Sequence, residues 1–272
     1  SPLPQGVSPH DLAQWLQEAC APQRKLTIVK DVPCNSPLLS EADNRYAQTL
    51  IDECTRRGFI SVEGQALAYV PINFATIDEY LARLSHSRRR NIRRKLRSRE
   101  ALRVDVLDTG DARFNDDAWL TQLYGLYKAV YDQSEIHFDL LTPEFFSSLL
   151  RDADSNGRVF CYWHCDELIG YNLCYVEGDK LLDKYIGLSY PLALEFNLYF
   201  VSWFVNLEYA LANGLKFYVA GWTDPQVKAS LGADFTFTRH LVWVRNPLLR
   251  KLGNRFRHHF ESDTQWHQEH TA

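Results

Sequence analysis

The chain has no methionine, and none of its apolar runs approaches the ~20 residues that a bilayer-spanning helix needs. The first absence implies an initiator that was removed or replaced. The second argues against a membrane span. The start, Ser1-Pro-Leu-Pro-Gln-Gly6, lacks a basic segment followed by an apolar stretch, so no signal peptide is expected and a cytoplasmic location is. Several motifs are missing as well. There is no Gly-x-Ser-x-Gly elbow, Walker loop, Rossmann glycine fingerprint or zinc-protease motif, which sets those chemistries aside. An excess of positive charge is also missing: the net charge is -4, which argues against a protein dedicated to nucleic acid. The six cysteines (Cys20, Cys34, Cys54, Cys161, Cys165 and Cys174) do not read as a disulfide framework in a chain of 272 residues without an export signal. On a strand, Cys161 and Cys165 would share one face and His164 the other. That reading favours buried free thiols over zinc, and no metal is expected.

What is present supports a real core: 46% hydrophobic and 13% aromatic residues, enough for one large domain or two small ones. The charge is uneven, strongly basic over 83–103 and acidic over Asp105–Asp117. Helices are expected over 8–20, with Ser8 as cap, Pro9 in the first turn and Leu12, Trp15, Leu16 and Ala19 as the apolar stripe. Others are expected over 41–57 (ended by Gly58), from Thr76 with Glu79 as a capping box, over 87–100, 119–131, 142–151, 196–213 and 247–260. Strands are expected over 26–29, 102–107, 158–165, 168–176, 180–188, 215–220 and 235–244. A hairpin is expected through Gly64-Gln65, and a loop over 33–37. Antiparallel hairpins come first, then a helical crossover and a last strand. This order predicts an α+β fold: a central, mostly antiparallel mixed sheet flanked by helices, with a smaller N-terminal α/β portion. The expected divisions are 1–84, 85–250, and a helix end with a loose tail over 251–272.

Four places can carry chemistry. In the helix Ser87–Arg99, Arg89, Arg93 and Arg97 form one stripe and Arg90 and Arg94 the next. Such density fits a phosphate, a nucleotide tail, an acidic carrier protein or tRNA, or else a solvated face balanced by Asp105–Asp117. The turn over 187–197 joins a strand to a long helix, which offers backbone N–H groups of Gly187, Leu188, Ser189 and Asn197 to a donor's phosphate or pantetheine chain. Glu195 there fits capping and catalysis equally. Trp222, Asp224, Gln226 and Lys228 lie on a loop and helix start. Asp224 before Pro225 reads as a helix cap, which leaves Lys228 unexplained. Asp183, Lys184 and Tyr185 occupy a central strand, where a charge is costly unless it is paired or faces a cleft. His137, His164 and His240 are the remaining candidate bases, each more simply a structural histidine.

The run Asp183–Val244 resembles the GCN5-related N-acetyltransferase (GNAT) superfamily. More narrowly, it looks like the branch near the Fem-type aminoacyltransferases and the peptidoglycan biosynthesis/recognition acyltransferase-like proteins. The residues that carry the likeness are the aromatic-rich helix after Glu195, the loop Ala220–Lys228, the pair Gly232-Ala233, and His240 and Trp243 on the last strand. The basic segment 87–99 looks like the Arg-rich helix that precedes the acyltransferase domain in Fem-like proteins. The likeness covers about 85–250. One departure matters: the glycine-rich pyrophosphate loop of ordinary acetyltransferases is missing, and Leu188–Asn197 takes its position. The resemblance implies an N-acyltransferase that moves an acyl group from acyl-CoA or an acyl carrier protein to a small-molecule amine. It implies Glu195 or Asp183 as base and Tyr185 or Tyr190 as acid toward the leaving group. Lys184, Lys228, Trp222, Asp224, Gln226 and His137 would line the substrate side, and Arg89, Arg93 and Arg97 the donor side. An aminoacyl-tRNA-dependent transferase and a non-catalytic binding module are the alternatives.

Overall fold

A computed structural model of the chain describes residues 6–20, 23–134, 140–222 and 224–255. The strands are β1 (Leu26–Cys34), β2 (Ile60–Glu63), β3 (Leu67–Pro71), β4 (Leu102–Asp108), β5 (Gly157–His164), β6 (Glu167–Glu177), β7 (Lys180–Leu188), β8 (Phe217–Gly221) and β9 (Asp234–Val244). The α-helices are α1 (Pro9–Trp15), α2 (Glu41–Arg56), α3 (Ile77–Ala82), α4 (His86–Leu96), α5 (Asp117–Gln133), α6 (Pro143–Arg151), α7 (Leu192–Glu195), α8 (Leu198–Ala212), α9 (Pro225–Leu231) and α10 (Pro247–Arg255). The chain divides into two compact units, one of residues 1–68 with 235–272 and one of residues 69–234.

In the first unit β9 lies between β1 and β2, antiparallel to both. α1 and α2 pack on one face around Ala13, Leu16, Leu50, Ile51, Cys54 and Leu241. The Ser8 cap is the expected one, and Ser40 caps α2 in the same way. Ser8 Oγ accepts from the Asp11 amide at 3.1 Å and Ser40 Oγ from the Asp43 amide at 3.1 Å, each satisfying one orphan donor of a first turn. Three expectations change here. β2 pairs with β9 rather than forming a hairpin with β3, because Gly64 N–H donates to Thr238 O and ties the intended turn to β9. β1 runs on through Pro33 and Cys34, where a loop was expected, because β9 continues alongside to Phe237 past a bulge between Val29 and Val32. Trp15 is exposed, and Ala13 with Leu16 carries the buried side of α1 instead.

The second unit is a mixed sheet of the expected α+β kind, flanked by helices. β4, β5, β6 and β7 run antiparallel, and β8 joins β7 in parallel after the α8 crossover. The register shows why β5 and β6 read as nearly continuous apolar runs. Cys161 pairs with Tyr171 and faces the core of α5 and α6, whereas Phe160 pairs with Asn172 and faces α8. Both faces are covered, so both parities must be apolar. α8 is buried almost all round, as expected of a helix without a polar face. Its expected start at Phe196 moves to Leu198, because Asn197 takes the left-handed conformation (φ 51°) and separates α7 from α8. Cys165 lies in the β5–β6 turn (φ 52°), not on the strand face with Cys161. Among the described residues no group of histidine, cysteine and acidic side chains is arranged to hold a metal, and no helix is long and apolar enough to cross a membrane.

Gly187 fixes how closely α5 lies on β7. A Cβ there would meet Tyr171 Cε1 at 2.3 Å and the Tyr127 backbone nitrogen at 2.9 Å. Gly187→Ala is therefore expected to destabilise the fold by about 1–3 kcal/mol, read as a lowered urea midpoint.

Candidate functional site

β7 and β8 pair only over Lys180–Leu182 and Phe217–Val219. Beyond that point β7 continues from Asp183 to Leu188, while β8 ends at Gly221 (φ +84°). Two parallel strands that part in this way open a gap in the sheet, and Asp183 is the first β7 residue past the last pair.

A bulge decides where Asp183 points. Cys174 pairs with Asp183 but Leu173 pairs with Tyr185, so Lys184 is the extra residue on β7. Strict alternation would put Asp183 and Tyr185 on one face. Instead Tyr185 packs edge-on against Tyr127 on the α5 side, 6.1 Å between ring centroids. Asp183 turns toward α8, and Lys184 is exposed.

Around Asp183 lies a chain of buried polar groups. Tyr218 Oη donates to Asp183 Oδ2 at 2.9 Å and Asn206 Nδ2 donates to the same oxygen at 3.1 Å. Asn172 Nδ2 donates to Asn206 Oδ1 at 3.0 Å, and Tyr162 Oη to Asn172 Oδ1 at 2.6 Å. The Cys174 thiol faces Asp183 Oδ1 at 3.7 Å. Every donor in this chain points toward the carboxylate, the arrangement that compensates burial of a polar group. Asn172 and Asn206 are fully buried. Sequence reading passed over both, although an amide inside an otherwise apolar strand or helix is itself a signal that something must satisfy it.

Lys228 is the cation of this site. It is 4% exposed, on the first turns of α9, and its ammonium makes no hydrogen bond to a described side chain or carbonyl. A Cβ on Gly221 would lie in ordinary contact, 3.8 Å from Lys228 Nζ and 3.7 Å from the Asp183 carbonyl oxygen, so glycine is favoured here by its φ of +84° and not by lack of space. Burial pulls the Lys228 pKa down to about 8, against the upward pull of the Asp183 and Asp224 charges. Burial likewise raises the Asp183 pKa, against the Tyr218 hydrogen bond and the Lys228 charge. Each charge therefore sustains the other in a site that would otherwise neutralise both. Tyr199 and Tyr190 feel the charges of this site. Burial raises both hydroxyl pKa values, Asp224 adds to each, and Asp183 adds to Tyr199.

The other sequence candidates fall as follows. Asp224 does precede α9 with Pro225 in its first turn, but the expected side-chain cap is absent. Its φ of 53° is left-handed, not the extended conformation that aims a capping carboxylate at the helix. Asp224 is thereby left exposed, and its charge acts on Lys228. Glu195 is exposed at the end of α7 and caps neither helix. In the turn over 187–197, the N–H groups of Ser189, Ala193, Leu194, Glu195, Phe196 and Asn197 all donate to backbone carbonyls. Leu188 is buried, Trp222 half-buried and Gln226 exposed. His137 lies outside the described residues. His164 stacks on Phe196, and His240 Nδ1 accepts from the Asp31 amide at 3.1 Å.

The basic helix α4 lies on α8. Arg99 pairs with Glu208 at 2.6 Å, Ser98 Oγ donates to Phe196 O at 2.5 Å, and Lys95 Nζ sits 3.3 Å from the Phe200 ring centroid. The outer side of α4 forms an open groove of about 900 Å³ lined by Arg89, Arg90, Arg93, Arg94 and Arg97 with Asp78. The acidic segment does not neutralise it. Asp105 pairs with Arg103, Asp108 with Arg158, Asp111 with Arg113 and Asp117 with Arg151. Arg93 takes Asp78 at 2.9 Å, and among the described residues Arg90 and Arg97 make no ion pair.

The site thus lies where the parallel strands β7 and β8 of an α+β sheet part, with the Asp183 and Lys228 charges acting on each other. The chain belongs to the FemAB-like family, described as peptidoglycan biosynthesis/recognition, whose model matches residues 18–272. No curated protein matches the sequence. Among solved structures it is similar to FemX, at 13% identity over 90% of this chain and 79% of that one, with a TM-score of 0.58. It is also similar to a DUF2156 domain from Agrobacterium fabrum, assigned by name to a lysylphosphatidylglycerol synthetase: 14% identity, 90% and 75% covered, TM-score 0.61. L-PGS from Bacillus licheniformis is similar at 10% identity, 75% and 68% covered, with a TM-score of 0.52. At these identities the likeness is one of fold.

The Lys228 pKa has a consequence for stability. Unfolded, the ammonium holds its proton up to its ordinary 10.5, whereas folded it gives the proton up near 8. Between those values the unfolded chain binds more protons, so the burial penalty is full below about 8 and relieved as pH rises. The difference in unfolding free energy between the wild type and Lys228→Met should therefore shift in favour of the wild type across that window. Urea titrations at stepped pH read it.

Proposed function

We propose that the chain is a transferase that moves an acyl or aminoacyl group from a phosphate-bearing carrier to an amine. The observation that carries this reading is the Asp183–Lys228 pair at the parting of β7 and β8, with an unneutralised basic groove on the helix packed against the same α8. Family membership and the GNAT-like fold support the transferase class.

In the proposed reaction the acceptor amine attacks the carbonyl carbon of the donor thioester or ester. A C–N bond forms and the C–S or C–O bond breaks. Asp183 takes the amine proton, directly or through a water, and its raised pKa suits it to that task better than an exposed carboxylate such as Glu195. The Lys228 ammonium stabilises the negative charge that develops on the carbonyl oxygen, in a pocket where few water molecules compete. Tyr190 or Tyr199 returns a proton to the leaving group. The oriented chain Tyr162–Asn172–Asn206 holds the Asp183 carboxylate in place, which is positioning and not proton transfer. The donor's phosphates lie along Arg90, Arg94 and Arg97.

A panel of acyl-CoAs, loaded carrier proteins and aminoacyl-tRNAs, each with candidate amines, tests this by mass spectrometry of the products. Asp183→Asn and Lys228→Met are each expected to lower turnover at least about 100-fold with the fold intact. The double change Arg90→Glu and Arg97→Glu should raise KM and leave kcat close to wild type. It should also flatten the salt dependence, by about one log unit per log unit of salt for each phosphate no longer neutralised. Unchanged turnover in both site variants would remove the assignment. Loss with ribonuclease identifies a tRNA donor, and insensitivity to it identifies a CoA or carrier-protein donor. Ligand binding with no product from any donor marks a binding module.

A further inference from the structure

α10 and the sheet edge beside it present an apolar face that nothing among the described residues covers. Leu248 is 78% exposed, Leu249 56% and Leu252 52%. The register extends this face onto the sheet. Val242 pairs with Ile60 on one side and with Ile28 on the other, so all three side chains share a face, and Leu26 pairs with Val244 on the same parity. α10 packs on that face, with a Cβ on Gly253 falling 3.0 Å from Ile60 Cδ1. Leu26, at 52% exposure, and Ile28, at 46%, therefore lie on the side of the sheet that α10 covers. Isolated exposed leucines need no explanation, but three on one short helix, over a sheet face that also exposes Leu26 and Ile28, do.

The charges around this face have one sign. Residues 241–255 contain Arg245, Arg250, Lys251 and Arg255 and no acidic residue, in a chain whose net charge is -4. Arg245 N–H donates to Lys25 O, which brings Lys25 to the same end of the sheet. Arg250 stacks on Trp243, 4.1 Å from the ring centroid, which leaves Lys251 and Arg255 as the exposed cations of α10. Exposed leucines beside the cations Lys251 and Arg255 on one short helix are the composition of a helix that lies in a membrane interface with its apolar side in the acyl boundary. A protein partner would not require the uniform positive rim, whereas a negatively charged bilayer does.

We propose that α10 is a peripheral docking surface for an anionic lipid bilayer, entered by Leu248, Leu249 and Leu252. The surface is separate from the Asp183–Lys228 site and does not depend on the proposed reaction. The experiment is sedimentation of the full chain with vesicles of phosphatidylcholine, or of phosphatidylcholine mixed with phosphatidylglycerol. Binding is expected to the mixed vesicles only and to weaken as salt rises. Leu248→Ser with Leu252→Ser should weaken it at least about tenfold with an unchanged melting curve, since both side chains are already in water. Lys251→Glu with Arg255→Glu should weaken it to a similar degree without touching the leucines. Failure to sediment with either vesicle, or equal sedimentation of both double variants and the wild type, overturns the proposal. So does a dimer in light scattering that the serine variant converts to monomer without any lipid binding, since the face would then belong to a second copy.

Discussion

A carboxylate buried at the end of a strand pairing has to be compensated, and the requirement at Asp183 organises the centre of this protein. Tyr218 and Asn206 donate to it, Asn172 and Tyr162 hold Asn206 in orientation, and Lys228 supplies the opposing charge. The groups come from β5, β6, β7, β8, α8 and α9, so most of the second unit must be in place before the charge is accommodated. Removing one partner leaves the others buried and unpaired, which is far costlier than never having built the network.

The same requirement ties fold to proposed chemistry. The bulge at Lys184 turns Asp183 out of the α5-side core and toward α8. The parting of β7 from β8 one residue earlier opens the sheet beside it. Gly221 ends β8 beside Lys228 with a positive φ of 84°. Three local departures from regular sheet geometry thus converge on one carboxylate. Under the proposed reaction the first two have a use: aim and access. The segment from α4 to Arg99 packs along α8, and apart from Asp78 on Arg93 the acidic groups Asp105, Asp108, Asp111 and Asp117 are engaged elsewhere.

Much of this was legible in the amino-acid order. Ser8, Ser40, Thr76 and Thr142 mark helix starts through capping chemistry that is local and survives without tertiary context. The β5–β6 hairpin and the α8 crossover follow from periodicity and length. What escaped depends on partners distant in sequence. β2 looks like half of a hairpin until β9, some 180 residues later, takes its edge. Asp183 and Tyr185 look like neighbours on one face until the pairing with β6 inserts a bulge. Asp224 reads as a cap because the rule assumes an extended conformation that this residue does not adopt. Lys228 stood out as a lysine without a structural duty, and Asp183 as a charge in an apolar strand. Their coupling follows only once the fold brings Lys228 to the end of β8, beside Asp183.

The central claim is that Asp183 and Lys228 form one coupled ionisable pair. The most direct measurement is the titration of the Lys228 side chain by NMR in lysine-labelled protein, in the wild type and in Asp183→Asn. The account predicts a midpoint near 8 in the wild type. It predicts a lower midpoint in the variant, because removing the negative charge leaves burial unopposed. An ordinary lysine midpoint near 10.5, unmoved by Asp183→Asn, would contradict it.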